Sequence, residues 1–356
     1  MIPESINLPL EGPTCPLPIQ EYPAIVMGHG SGGQMTQALL ARYFLPAFSN
    51  PALLQGNDFA SIPNREGGRL AVSTDAHIVS PLFFPGGDIG RLSVSGTIND
   101  ISMSGGTPLC LTASFIIEEG FSTHDLQMII LSMAATALEA GVPIVAGDTK
   151  VVEKGKADGI FISTSGLAWI PDNVSIGGAL AKPGDAVLIS GTLGDHGIAV
   201  LSARGNLGLE SDIRSDVAPL NRLIGSVLEA APSVHVLRDP TRGGLATTLI
   251  EIAQQSHVSI HLDEDYIPVH PPVRTACEML GFDPLYVANE GKVILILPQD
   301  SVPQALSCLR SLSYGKNAAL IGRVQSEPAN RVLLKTRLGT TRVLDMLAGE
   351  MLPRIC

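Results

Sequence analysis

The sequence predicts a mixed α/β (α+β) protein of two domains, and three observations carry this. The chain has 356 residues, more than one ordinary hydrophobic core organises. Hydrophobic residues make up 45% of it and aromatic ones only 4%, alongside 37 glycines, so the cores are aliphatic and the turns tight. Short β-branched runs and helical periodicities alternate on both sides of a turn-rich stretch, Ile170-Pro171-Asp172-Asn173 and Lys182-Pro183-Gly184-Asp185. The expected division is a flexible proline-rich arm over 1–22, an N-terminal domain over 23–172, a C-terminal α/β domain over 173–346 and a mobile tail over 347–356.

The apolar run Ala24-Ile25-Val26-Met27 leads into Gly28-His29-Gly30-Ser31-Gly32-Gly33, and a helical pattern follows from Met35 to about Phe44. Strands are expected at Leu70–Thr74, ending at Asp75, at Val142–Ala146, ending at Gly147-Asp148, and at Ile160–Thr164. Between them lies a helix with both ends marked. Ser122 is its N-cap with Asp125 three residues on, Phe121 and Leu126 form a staple, and Gly141 closes it. The second half restarts with the strand Ala186–Ser190. A helix opens at Gly243-Gly244 and runs to about Gln254, and Val293–Leu297 is an apolar strand.

Bulk properties exclude several functions. The net charge is −11 and no Lys/Arg run exists, so no nucleic-acid surface is expected. Cys15, Cys110, Cys277, Cys308 and Cys356 form no CxxC and no zinc spacing, which suits free thiols in a reducing compartment. The start of the chain lacks a basic segment followed by an apolar one, so no signal peptide is expected. The apolar stretch Leu126–Val145 carries Glu139 and Gly141 and reads as a helix and a strand, not a membrane span. A cytoplasmic protein is the expectation.

Five features carry chemistry. Gly28, Gly30 and Gly33 satisfy G-x-G-x-x-G between a strand and a helix, which fits a dinucleotide site with Asp58 as its acidic partner, or an ordinary glycine-rich turn. More narrowly, Gly30, Ser31, Gly32 and Gly33 let backbone amides approach an anion at a helix start. No G-x-x-x-x-G-K-[ST] is present. Second, Asp58, Asp75, Asn99-Asp100 and Asp148 lie beside small residues, three of them at or near expected strand ends. One such aspartate ordinarily closes a turn. Several at one sheet edge repel each other unless cations hold them, as Mg²⁺ shared with nucleotide phosphates does. Lys150 would neutralise a transferred phosphoryl group. Third, the loop Arg238-Asp239-Pro240-Thr241-Arg242-Gly243-Gly244 is an anion site or a capped tight turn. Fourth, Glu290, just before a buried strand, is a candidate general base. Fifth, Cys356 is the last residue, with the greatest reach of any thiol in the chain. A prenylation box needs three residues after its cysteine, so this is not one.

Together the segments GHGSGG, STDAHIVSPLFFPGGDIG, GTINDISMSGGTP, ASFIIEEGF, AGDTKVVEKG, RDPTRGGLATTLIEIA, DPLYVANEGK and the terminal PRIC resemble the HypE family of hydrogenase maturation factors. That family sits with aminoimidazole ribonucleotide synthetase, selenophosphate synthetase and thiamine-monophosphate kinase, and the similarity runs from about Ile25 to Cys356. The resemblance implies a two-domain aminoimidazole ribonucleotide synthetase-like fold and a homodimer whose N-terminal halves join into a barrel-like core. It implies ATP and Mg²⁺ as cofactors, with ATP under the glycine loop. It implies a carbamoyltransferase partner, HypF, that loads Cys356, and ATP-dependent dehydration of that group to a thiocyanate. It also implies transfer of the cyanide ligand to the iron of a NiFe-hydrogenase through a HypC–HypD complex. On this reading Asp58, Asp75, Asp100 and Asp148 are metal ligands. Gly30, Ser31, Gly32, Gly33, Asn99, Lys150, Asp239, Thr241, Gly243 and Gly244 bind nucleotide, phosphate or the tail. Cys356, Glu290 and Lys150 are catalytic.

Two rivals are weighed against it. A selenophosphate synthetase-like enzyme would want a reactive cysteine with a lysine just before the glycine loop, whereas Cys15 lies well upstream and the arm has no lysine. A scaffold would use the C-terminal peptide only for docking and carry no adduct on Cys356.

Overall fold

The computed structural model describes residues 23–30, 34–51, 66–205, 212–346 and 355–356. The expected arm, the loop residues Ser31, Gly32 and Gly33, Asp58, and most of the tail lie outside the described residues. A 3₁₀ turn, Met27–Gly30, is followed by α1 (Gln34–Leu39), a π turn at Leu40–Phe44 and α2 (Leu45–Phe48). Next come β1 (Arg69–His77), the short pair β2 (Phe83–Phe84) and β3 (Gly87–Asp88), and α3 (Ile89–Ser102). The first half ends with β4 (Thr107–Glu118), α4 (Thr123–Ala140), β5 (Ile144–Val152) and β6 (Ile160–Ile170).

These strands form a sheet in the order β1-β6-β4-β5, and only β4 and β5 run parallel. One face is covered by α3 and α4. Helix α3 is buried along nearly its whole length, and α4 is capped as expected, with Ser122 Oγ accepting from the Asp125 amide at 3.3 Å and Gly141 in the left-handed region at φ 74°. The opposite face is open. Leu70, Val72 and Ile116 stand on it with relative exposures of 57, 69 and 43%.

Two expectations about this sheet need correcting. Asp75 and Asp148 were expected to end their strands, but β1 continues to His77 and β5 to Val152. The strands persist because alternation persists: Ala76, Asp148 and Lys150 face the open side and tolerate solvent. The acids were also expected to gather at one edge, as in a parallel sheet. In this largely antiparallel order β1 and β5 are opposite edges, three strand spacings or about 14 Å apart.

The second half contains β7 (Asp185–Ile189), α5 (Asp195–Ala203), α6 (Asn221–Ala230), β8 (Val236–Arg238), α7 (Gly244–Ser256) and β9 (Ser259–Asp263). It continues with α8 (Pro271–Leu280), β10 (Ile294–Pro298), α9 (Val302–Ser311), β11 (Ala319–Gln325), β12 (Arg331–Lys335) and β13 (Thr341–Leu344). Its sheet order is β13-β12-β9-β11-β7-β10-β8. Strand β7 is buried at every position because separate cores fill both faces, one including Leu245 and Leu249, the other Leu223 and Leu309.

Hydrogen bonds from side chains and backbone stitch the halves together. Arg91 Nε donates to the Val217 carbonyl at 2.9 Å and the Ser215 amide to the Pro85 carbonyl at 2.7 Å. Asn99 is buried at the same junction. Its amide donates to the carbonyls of Ala218 (3.0 Å) and Glu290 (3.3 Å) and accepts from the Leu220 amide at 2.8 Å. Asn99 was expected to bind nucleotide; here its amide is engaged by backbone groups at both ends.

Candidate active site

Four acids from four elements meet at the junction: Asp75 from β1, Asp100 from the last turn of α3, Asp239 from the loop after β8, and Glu290 ahead of β10. Ser73 Oγ donates to Asp100 Oδ2 at 2.8 Å. Burial, then the charge of Asp100, push Asp239 up to about 7. Burial raises Asp100 too, with Ser73 opposing.

Glu290 is 4% exposed, and its Oε1 has no hydrogen-bond partner among the described residues. Burial holds its pKa well above the carboxylate range, reinforced by Asp216, Asp239, Asp75 and Asp100. Beneath it, Asp216 accepts from the backbone amides of Glu290 (3.1 Å) and Gly291 (3.3 Å) and pairs with Lys292 Nζ at 2.8 Å. Burial alone would raise Asp216, but Lys292 and His196 outweigh it and keep this carboxylate ionised. His77 lies under Asp75, with Nε2 3.7 Å from Oδ2. Burial lowers its pKa, with Asp75 opposing and Arg242 assisting.

The loop 239–244 is fastened beside this cluster. Asn289 takes the Pro240 carbonyl through its side chain at 3.0 Å and its backbone amide at 3.2 Å, and its Oδ1 accepts from the Gly194 amide at 2.8 Å. Gly243 and Gly244 adopt φ of 79° and 62°, and a Cβ on Gly244 would stand 2.5 Å from the Leu285 carbonyl oxygen. Glycine is required there by conformation and by space. The structure thus brings Asp239, Thr241, Gly243 and Gly244 next to Glu290.

Lys150 and Asp148 lie elsewhere. They pair at 2.9 Å on the open face of β5, both more than half exposed, while Asp75 points through the opposite face of the sheet. The turn carrying Gly30 packs on the same strand, since a Cβ at Gly30 would stand 2.7 Å from the Val151 amide nitrogen. Within one chain the expected site therefore falls into two groups: the junction acids, and the β5 pair with the described end of the glycine loop. Among the described residues no three His, Cys, Asp or Glu side chains converge as a metal site.

The chain end is seated at the junction. Ile355 is 3% exposed within a core that draws on both halves, with Ile89 and Leu92 from one and Ile198 and Val273 from the other; its carbonyl lies 2.8 Å from His196 Nε2, and a main-chain oxygen of Cys356 accepts from the Ile78 amide at 3.3 Å. Cys356 itself is partly buried against that core. Sequence reasoning missed Asp216, Lys292 and His196. Only Lys292, beside Glu290, carried any local signal, and the others are recognised by what folds around them.

Comparisons with known proteins identify the family. The model of the AIR synthase related protein N-terminal domain matches residues 56–170, and that of the C-terminal domain residues 182–335. The chain is 54% identical over 332 residues to carbamoyl dehydratase HypE of Cupriavidus necator, covering 93% of this chain and 95% of that protein. It superposes on the crystal structure of the hydrogenase maturation protein HypE in complex with ATP with a TM-score of 0.90 at 48% identity, covering 93% of this chain and 99% of the other. It also matches a chain of the HypE–HypF complex, with a TM-score of 0.76 at 48% identity over 88% of this chain and all of that one. With both domain models matched in order and more than half of the residues shared with such a relative over nearly its full length, the chain belongs to the HypE family of carbamoyl dehydratases within the AIR synthase-related proteins.

Proposed function

We propose that this chain uses ATP to dehydrate a carbamoyl group carried on its own Cys356, supplying the cyanide ligand of a NiFe-hydrogenase. The observation that carries the reading is the seat of the chain end: the Ile355 carbonyl lies 2.8 Å from His196 Nε2, and a main-chain oxygen of Cys356 accepts from the amide of Ile78, directly after the strand that bears Asp75. A HypF-type carbamoyltransferase loads the thiol as R–S–C(=O)NH₂, consistent with the HypE–HypF complex of the relative. The amide oxygen attacks the γ-phosphorus of ATP, ADP departs and the nitrogen loses one proton. The carbon–oxygen bond then breaks, phosphate leaves and the second proton is lost, giving R–S–C≡N. Phosphorylation is needed because an amide oxygen is otherwise a very poor leaving group.

Glu290 is the base for these protons. Its raised pKa suits the task, since a carboxylate that binds protons nearer neutrality is the stronger base. Asp75 and Asp100 are suited to hold Mg²⁺ through one or two carboxylates, with water and phosphate completing its shell, and the ion would neutralise phosphate charge. Lys150 stabilises the transferred phosphoryl group. Asp58 and Asp148 complete the acid set, and Ser31, Gly32, Gly33, Thr241, Gly243 and Gly244 cradle phosphate or tail. The open sheet face with Leu70, Val72 and Ile116 supports a homodimer. A HypC–HypD complex receives the cyano group in the cytoplasm.

The test is mass spectrometry of the C-terminal peptide after incubation with the carbamoyltransferase, carbamoyl phosphate and ATP. An adduct of about +43 Da that converts to about +25 Da with ATP is expected from this covalent chemistry. No adduct would favour the docking scaffold instead.

A further inference from the structure

The chemistry above gives His196 no step of its own, only a place under the chain end. This side chain, in the first turn of α5, is buried and bonded on both sides, with Nε2 2.8 Å from the Ile355 carbonyl and Nδ1 2.8 Å from Ser215 Oγ. The tautomer follows from the partners. A carbonyl only accepts, so Nε2 carries the hydrogen and Nδ1 is the acceptor. Ser215 Oγ already accepts from the Val217 amide at 3.1 Å and gives its own hydrogen to Nδ1. Ser215 is fixed in turn by its amide bond to the Pro85 carbonyl, and the Phe84 ring meets the imidazole edge-on at 5.5 Å. Burial keeps the imidazole neutral against the pull of Asp216, which preserves that tautomer.

The seat meets the last two residues at three points. It offers one hydrogen-bond donor to the Ile355 carbonyl, a second, from Ile78, to a main-chain oxygen of Cys356, and an apolar place for the Ile355 side chain. None of these contacts involves the junction acids. We propose that His196 is a positioning residue: with the apolar seat of Ile355 it forms a latch that holds the C-terminal residue at the junction for the dehydration step. The proposal rests on the dehydratase reading for its purpose, but the latch itself can be measured without that chemistry.

The first measurement uses the unloaded full-length protein and the alkylation rate of Cys356 by iodoacetamide, read on the C-terminal peptide so that other thiols do not interfere. His196→Ala should raise that rate by about tenfold, equivalent to about 1.4 kcal/mol of lost latch. His196→Gln, whose side-chain amide can donate from near the Nε2 position, should return it toward the unmodified protein. The second measurement is single-turnover dehydration of carbamoylated protein at saturating ATP. It should slow in His196→Ala with an unchanged KM for ATP, while carbamoyl loading is as fast or faster. Ile355→Asp leaves His196 in place and should reproduce the pattern, so it carries the test if His196→Ala does not fold. Equal alkylation rates in all variants would overturn the latch, as would slowed dehydration with unchanged thiol exposure. If no protein dehydrates the carbamoyl group, the dehydratase reading fails while alkylation still decides the latch.

Discussion

At the scale of single residues, the junction stores unfavourable charge that substitution can release. Glu290 and Asp239 both have pKa values above the carboxylate range, so the fold favours their protonated forms. Their contribution to stability is complete below the ordinary carboxylate value and is lost as pH rises, for Asp239 through about 7. Asp239→Asn should therefore raise the melting temperature at pH 8 and leave it nearly unchanged at pH 4, which a thermal scan at both values checks. For activity the sign reverses, because a base works when deprotonated. Glu290→Gln should reduce dehydration by about 10²–10⁴-fold, the usual contribution of a positioned base, while ATP binding measured by calorimetry persists. Asp75, Asp100, Asp239 and Glu290 were all readable as candidates, Asp75 and Asp100 as acids beside small residues, Asp239 from its arginine- and glycine-bearing loop, and Glu290 from its place before a buried strand. Asp216 was not, since its worth comes from Lys292 and two backbone amides that only the fold assembles around it.

At the scale of elements, local chemistry was the readable part. The limits of α4 followed from Ser122 and Gly141, because caps are decided by residues within one turn of the helix end. Strand ends were misjudged for a matching reason. Nothing local distinguishes the exposed polar continuation of a strand from a loop, and pairing with β6 and β4 carries β1 and β5 onward past the apolar run. The loop into α7 shows how tightly one element can be specified. Gly244→Ala would place a methyl group 2.5 Å from the Leu285 carbonyl oxygen at a positive φ. A loss of about 1–3 kcal/mol is expected for such a strained position, measurable by urea denaturation. Because Asn289 fastens this loop beside Glu290, activity should fall more than stability does.

At the scale of the whole molecule, the two-domain architecture was visible in composition and in the turn-rich break, whereas sheet order was not, because pairing partners distant in sequence leave no periodic trace. That order matters for Lys150, which sits on the far edge and the opposite face from Asp75. A two-fold axis along the strands would set β5 of one protomer beside β1 of its partner. Lys150 would then serve the partner's acids. Mixing inactive Lys150→Ala with inactive Glu290→Gln and allowing subunit exchange should recover a part of the activity, since some mixed dimers keep one intact site. No recovery, with exchange verified, would mean that each chain serves itself.

The tether made by Asn99 bears on how such a molecule can work. One carboxamide grips the backbone at Ala218, Leu220 and Glu290, and Asp100 is its immediate neighbour in sequence. Prying the halves apart would break those three bonds together, so the tether holds the acid helix at a fixed distance from the base. Turnover in such a design carries the reacting atom to a finished cavity and does not rebuild the cavity around it.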